Sequence, residues 1–244
     1  MRYIFMSDLH LSEDTPDNNS KFYLYLEQWC GRIDALYLLG DFFDYWIGDD
    51  YSNDFIVEMK SYLREFTKIT PIYFIGGNHD FAVGKLFCKE TGVTRIADLS
   101  VLDDHEKRIV LSHGDYFCTL DIGYQKMKKI LQNRFVIFIL RRIPISWRLA
   151  LKAKLNSSSD KVYDPSRQYL YQVIDRDIIK VLDSKKSKIL IHGHTHNPQL
   201  TRLVSNEEYL RCELPAWGHG ASGGYLEYID GQYNLVKGDL SENI

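Results

Sequence analysis

The stretch ILIHGHTHNP, Ile189–Pro198, places three imidazoles, His192, His194 and His196, at alternate positions directly after an apolar run. Imidazoles at that density point to metal ligation or proton transfer rather than to packing. Four more short clusters share this character. SDLH (7–10), GDFFD (40–44), GNHD (77–80) and SHGD (112–115) each follow an apolar run. A lone Asp after a strand is ordinarily a turn residue or a helix cap. Five such clusters at strand ends, with glycines that let backbones approach closely, imply that the strand ends converge on one metal site.

The donor types narrow the metal. Carboxylate, imidazole and one amide oxygen, with no thiolate, suit Mn²⁺, Fe²⁺ or Zn²⁺ and not a Cys-rich structural zinc site. The candidates outnumber what one ion takes. A carboxylate can bridge two ions ~3.5–4 Å apart, the usual arrangement for phosphate-ester hydrolysis.

The elements that must position these groups read as follows. YIFMSD is a short buried strand, and Lys21–Cys30 has helical periodicity. DALYLLGD is a second strand, Phe55–Phe66 a second helix and PIYFIGGNHD a third strand. Strand–helix–strand at this spacing predicts βαβ units and a buried, mostly parallel sheet. LSVLDDHEKRIVLSHGD reads as a hairpin with its polar turn at Asp103–Lys107. After Asp115 a helical region runs to about Leu155, and a further helix is expected over Ser166–Leu182. KILIHGH is another buried strand. QLTRLVSNEEYLRCEL and GYLEYIDGQYNLV read as hairpins, the second with an Asp-Gly turn at Asp230–Gly231. In open α/β sheets, ligands bind outside the carboxyl ends of the strands, where these clusters lie.

Composition sets outer limits. The 244 residues suffice for one large domain or two small ones. Hydrophobic residues make up 45% and charged residues 26%, ordinary for a globular protein, and the net charge of −3 gives no sign of a nucleic-acid partner. Four scattered cysteines with no CxxC pair read as a reduced, cytosolic chain without a disulfide frame. The N-terminus enters a strand at once, so no signal peptide is expected. No window reaches the ~20 apolar residues of a membrane span.

DLH, GDFFDYWIGDD, GNHD, HGD and GHTH occur in the order and spacing of the calcineurin-like metallophosphoesterases, which the chain resembles. ALYLLGDFFDYWIGDD, GNHDFAVGKLF, HGDYFCTLDIGYQ and IHGHTHNP further resemble the UDP-2,3-diacylglucosamine hydrolases of lipid A synthesis, over nearly the whole length. The resemblance implies an α/β fold, a four-layer α/β/β/α sandwich with a helical cap insertion. It implies two divalent ions, typically Mn²⁺. Asp8, His10, Asp41 and His196 would hold one, and Asp41, Asn78, His113 and His194 the other, with Asp41 as bridge. It implies attack at the α-phosphorus of UDP-2,3-diacylglucosamine, giving UMP and 2,3-diacylglucosamine 1-phosphate, with no covalent enzyme intermediate. Among substrate contacts it implies Asn78, His194, Asp121, Tyr124 and Ser159.

Two departures stand out. The resembled hydrolases carry arginine where this chain has His79. Arginine is a fixed cation, whereas histidine can also donate a proton to a leaving group, with Asp80 to orient it. His79 and Asp80 are therefore the expected catalytic pair. A lysine position in the family is shifted or lost in SSSDKVYDPSR (157–167), with Arg167 the expected replacement. His192, still at the strand end, is expected to be buried support rather than a ligand.

Segment 121–161 differs in character from its surroundings. It holds ten Lys and Arg residues, only Asp121 and Asp160 as acids, and the apolar runs FVIFIL and IPISWRLAL. It reads as a membrane-surface element, as a helical cap whose apolar face packs on the core, or as both, lying between core segments 1–120 and 162–244; the resemblance implies a cap over the site and attachment at the cytoplasmic face of the inner membrane. Two other functions stay open: a soluble nucleotide metallophosphodiesterase or pyrophosphatase, and a non-catalytic scaffold. The sequence leaves the oligomeric state open.

Overall fold

The computed structural model describes residues 1–104, 107–159, 170, 172–203, 206–217, 221 and 223–238, with backbone alone at 134, 154–159, 206 and 207. In chain order the elements begin with β1 (Arg2–Met6), α1 (Pro16–Trp29), β2 (Ala35–Leu39), α2 (Asp54–Thr67), β3 (Ile72–Ile75), α3 (Lys85–Thr91) and β4 (Thr94–Arg95). Then come β5 (Ser100–Asp104), β6 (Lys107–Leu111), a 3₁₀ turn (Asp115–Phe117), α4 (Ile122–Leu131), α5 (Arg134–Leu140), α6 (Ile145–Ser159) and α7 (Asp175–Ser184). The chain finishes with β7 (Ile189–His192), β8 (Gln199–Leu203), β9 (Asn206–Glu213), β10 (Gly224–Ile229) and β11 (Gln232–Lys237).

Two sheets form. One has the order β11-β10-β1-β2-β3-β4, the other β5-β6-β7-β9-β8. β1 to β4 pair in parallel, β1–β3 as their unbroken apolar runs predict, with the short exposed β4 added at the edge. β6, β7 and β9 are also parallel, while hairpins β10–β11, β5–β6 and β8–β9 close the edges. The β10–β11 turn has positive φ at both Asp230 (45°) and Gly231 (89°), the requirement of a type I′ hairpin.

Three separate cores define four layers. Ile4, Leu36 and Phe74 pack under Phe22, Met59 and Leu63 of α1 and α2. Phe5, Tyr37 and Leu39 meet Ile109, Ile191 and Cys212 between the sheets. Val110 and Leu190 pack against Ile178 and Leu182 of α7 on the outer face. Alternate strand residues thus serve opposite layers. Each fully buried Phe, Leu or Ile contributes roughly 1.5–3 kcal/mol.

The helical region after Asp115 is divided. Asn133 caps α5 by accepting from the Phe135 amide at 2.8 Å, and Pro144 precedes α6. The expected helix over Ser166–Leu182 begins only at Asp175. Residues 166–169 and 171 lie outside the described residues, and β-branched Ile174 is extended, its amide donating to the Phe117 carbonyl at 3.2 Å. The sequence reading also missed α3, which ends at Gly92 in the left-handed conformation (φ 76°).

The WIGDD segment braces these pieces. Asp49 accepts from the Trp46 indole at 3.0 Å and from the Gly84 and Leu86 amides at 2.8 and 3.0 Å, which holds the start of α3. Buried Arg148 of α6 grips Asp50 with both terminal nitrogens and donates to the Ile47 carbonyl at 2.6 Å. A forked pair of this kind fixes orientation as well as distance. Arg148→Ala should lower the local opening free energy of α6 by about 1–2 kcal/mol, at the low end because Asp50 is half exposed. Hydrogen exchange should quicken over 145–153 and stay slow in β1–β3; uniform exchange changes would show that the pair does not act locally.

Candidate metal centre

The sequence clusters all leave the carboxyl ends of strands. Asp8 and His10 follow β1, Asp41 follows β2, and Asn78 and His79 follow β3. His113 follows β6, and His194 and His196 follow β7, so both sheets contribute. The turns are unusually tight. Asp8 (φ 54°), His10 (48°), Asp41 (50°), His194 (72°) and His196 (54°) all lie in the left-handed region. That conformation costs a non-glycine residue ~1–2 kcal/mol, and it concentrates where strain serves a site.

Hydrogen bonds hold the loops together. The Asp8 and His10 amides donate to the Gly40 and Asp41 carbonyls, both at 3.0 Å. The His79 amide donates to Asp41 Oδ1 at 2.8 Å. Between the sheets, the His194 amide donates to Asp8 Oδ2 at 2.8 Å and His113 Nδ1 donates to the Leu39 carbonyl at 3.0 Å. Gly193 lies so close to Ser7 and Asp8 that any Cβ there would collide with both side chains.

Among the described residues three trios of ligand atoms result: Asp8, His10 and His196; His10, Asp41 and His79; and Asp41, His113 and His194. Within each trio the atoms lie within 4.8 Å of one another. His196 Nε2 is 3.4 Å from Asp8 Oδ1, and His113 Nε2 is 3.5 Å from Asp41 Oδ2. Asn78 Oδ1 lies 3.1 Å from His113 Nε2 and so joins the last trio. Divalent ions with N and O ligands at about 2.0–2.2 Å fit this donor set and span. Asp41 belongs to two trios, as a bridging carboxylate must.

The electrostatics agree. Asp8 and Asp41 are 0% and 2% exposed. Burial works against their charge, but His196 and His113 for Asp8, and His113 for Asp41, hold both carboxyls below the usual range. Burial pushes His194 down to about 4, with His113 adding to the effect. It is thus a neutral ring with a lone pair, as ligation needs.

A family model described as calcineurin-like phosphoesterase matches residues 1–198. The chain belongs to the calcineurin-like phosphoesterases. Among these it is 38% identical over 216 residues to a UDP-2,3-diacylglucosamine hydrolase of Pseudomonas fluorescens, covering 88% of this chain and 87% of that one. It is 36% identical over 241 residues to one of Ectopseudomonas mendocina, covering 98% of each. A dimetal phosphatase from Danio rerio shares the fold at TM-score 0.56 and 12% identity, covering 97% of this chain and 96% of that one. The family implies divalent metal ions.

Several expected roles shift within this phosphoesterase site. Asp80 does not orient His79. Its buried carboxylate accepts from the Gly77 and Phe42 amides, both at 2.7 Å, and from Asp41 and Phe43 at 3.3 Å. It ties the β2 and β3 loops together. His79 Nδ1 instead donates to the Asp44 carbonyl at 2.5 Å, while its ring lies 4.8 Å from His10 and 4.6 Å from Tyr45. Asp121 caps α4, accepting from the Tyr124 amide at 2.8 Å. Tyr124 donates to Asp115 at 2.5 Å and its ring stacks 6.4 Å from His194. The side chain of Ser159 and all of Arg167 lie outside the described residues. Sequence reasoning missed Lys128 as a site residue: its Nζ donates to Asp115 at 2.7 Å. Its place four residues after Tyr124, on the same helix face, was the available signal.

His192 is fully buried, its Nδ1 donates to the Gly193 carbonyl at 2.8 Å, and burial pushes it down to about 3. It joins none of the three trios. His192→Ala should keep the metal content of the parent protein by elemental analysis, whereas His194→Ala should lose about one ion per chain. Equal losses would contradict this division. Asp80→Asn in metal-free protein should cost about 2–4 kcal/mol in urea unfolding, because it sets an NH₂ donor against backbone amides. An unchanged midpoint would remove Asp80 from that role.

Proposed function

We propose that this protein hydrolyses UDP-2,3-diacylglucosamine at the α-phosphorus, releasing UMP and 2,3-diacylglucosamine 1-phosphate for lipid A synthesis. The observation that carries the reading is a cleft between α4–α6 and the metal centre. Its floor holds Asn78, His79 and Tyr124, and its walls are apolar: Trp46, Phe81, Met127, Leu131, Ile137 and Leu140. Acyl chains match those walls, and a phosphate beside Asn78 and His79 sits at the trios. The curated relatives named for this reaction support the same substrate.

We assign Asp8, His10, Asp41 and His196 to one ion and Asp41, Asn78, His113 and His194 to the other, with Mn²⁺ at both. When bound, the ions supply Lewis acidity toward water and the phosphate oxygens. The chain's own groups do the rest. Asp8 and Asp41 keep their charge where cations are needed. Asn78 and Tyr124 face the cleft and fix the phosphate and sugar. Asp121, by capping α4, presents Tyr124. His79 stands beside His10 and Asp41, where it stabilises charge and delivers a proton to the leaving group. We assign residues 1–120 and 162–244 to the core and 121–161 to the cap.

The cap supports peripheral attachment to the cytoplasmic face of the inner membrane. Phe135 (75% exposed), Trp147 (72%) and Ile130 (61%) stand in solvent among exposed Lys126, Lys129 and Arg142. Apolar side chains ringed by cations suit an anionic leaflet, where each cation adds ~1 kcal/mol. No helix among the described residues is long and apolar enough to cross a membrane.

The testing experiment is Mn²⁺-supported hydrolysis in ¹⁸O-water. The expected label is in UMP, and chelation should abolish turnover. Label only in the lipid product would overturn attack at the α-phosphorus, and faster turnover of UDP-glucose would overturn the lipid substrate. His79→Ala should keep its metals and lose about 10²-fold or more in kcat. The protein should float with anionic vesicles, and Phe135→Ser with Trp147→Ser should weaken that; no preference for anionic over neutral vesicles would refute membrane attachment.

A further inference from the structure

A second cavity, of about 700 Å³, reaches the metal centre at His196 and shares no lining residue with the apolar cleft. Gln172, Thr195, Asn197, Arg211 and Glu213 line it together with His196. Its volume is that of a small-molecule site, and its lining is polar where the other cleft is greasy.

Strand geometry explains the polarity. Leu210 and Cys212 of β9 turn into the inter-sheet core, so Arg211 and Glu213 point to the opposite face. Glu213 is 2% exposed and already committed. It accepts from the Thr195 hydroxyl, from the Asn197 amide at 3.3 Å and from Gln199 Nε2 at 3.3 Å. Arg211 is held less tightly. Its terminal nitrogens lie 3.5 Å from Asp175 and 3.6 Å from Glu213, and its buried Nε has no hydrogen-bond partner among the described residues.

Among the described residues, the Arg211 guanidinium is set against Glu213 in the lining and Asp175 beside it, which leaves no net positive charge. A polyphosphate or a bare phosphate gains nothing there. A neutral group rich in hydroxyl, amide and carbonyl functions finds donors on Arg211, Asn197 and Gln172 and acceptors on the exposed Asn197 and Gln172 amides. The substrate proposed above has two unlike halves joined at a diphosphate. With acyl chains on the Asn78 and His79 side, the other half must leave on the His196 side.

We propose that this cavity binds the ribose–base unit of the nucleotide product, with Arg211 as its principal anchor. The proposal rests on the substrate reading of the preceding subsection. It explains how one metal centre handles a lipid and a nucleoside without either entering the other's site.

Calorimetric titration of the Mn²⁺-loaded full-length protein with UMP and with inorganic phosphate tests it. UMP should bind about tenfold or more tightly than phosphate. Arg211→Ala should weaken UMP about tenfold and leave phosphate unmoved. Gln172→Trp, which fills the exposed cavity mouth without disturbing a buried group, should do the same. Equal affinity for UMP and phosphate in the parent protein would overturn the proposal. So would variants that weaken both ligands equally, since the metal centre itself would then be disturbed. Failure to hydrolyse UDP-2,3-diacylglucosamine while UMP binding keeps this pattern would sink the substrate reading alone.

Discussion

The structure depends on burying two carboxylates, Asp8 and Asp41, at the seam where two sheets end. Like charges so placed repel, and an uncompensated buried charge costs several kcal/mol. The fold answers by bringing imidazoles from the other sheet against them. His196 faces Asp8 and His113 faces Asp41, each within 3.5 Å. The backbone crosses the same seam, from the His194 amide to Asp8 and from His113 to the Leu39 carbonyl. Neither sheet can form the site alone, so sheet packing and site assembly are one event. Two buried carboxylates with imidazole nitrogens beside them are also what draws in cations.

That constraint explains the surroundings. Five side chains can converge only if their turns are too tight for ordinary backbone, hence the run of left-handed residues. Strain of this kind persists only where neighbouring structure over-determines it. Asp80 supplies much of that determination, gathering amides from two loops onto one carboxylate. Those donors favour its charge, while burial and the nearby Asp41 push it up to about 6. Below these turns, Phe42 and Phe43 anchor the β2 loop in the apolar core. The site loops are therefore tied to one another by hydrogen bonds within the chain, the preorganisation a metal site requires.

Much of this was legible in the sequence because local chemistry and topology coincide. Buried parallel strands read as unbroken apolar runs, and strand ends in such sheets are where ligands gather. Asp8, His10, Asp41, His113, His194 and His196 could therefore be grouped without coordinates. Side-chain direction was not legible. Nothing local tells that Asp80 turns toward backbone amides while His79 turns toward the metals' side; that depends on how the β2 and β3 loops cross. The helical stretch after Asp115 showed its composition but not its breaks, since Asn133 and Pro144 act by capping and by restricting backbone, against an apolar pattern that runs on. Lys128 looked like one more cation until the fold placed buried Asp115 under it. Arg211 gave no signal, because its significance is the cavity beside it, made by β9, the β7 loop and the segment before α7.

His79 shows what a single departure from the resembled hydrolases does. With Nδ1 donating to the Asp44 carbonyl, a neutral ring has its lone pair on Nε2. In that form Nε2 can only offer its lone pair, to a metal ion or to a proton of water. With a proton on Nε2 as well, the ring is an imidazolium that donates from both nitrogens. The two states are exclusive, so His79 cannot ligate a metal and donate a proton in the same step. An arginine at this position would hold charge in every state and could never accept. In the proposed reaction the histidine therefore replaces a permanent phosphate clamp with a group able to change role as the leaving oxygen gains charge. Its edge-on contact with His10 and the hydrogen bond from its backbone amide to Asp41 keep it beside the trios.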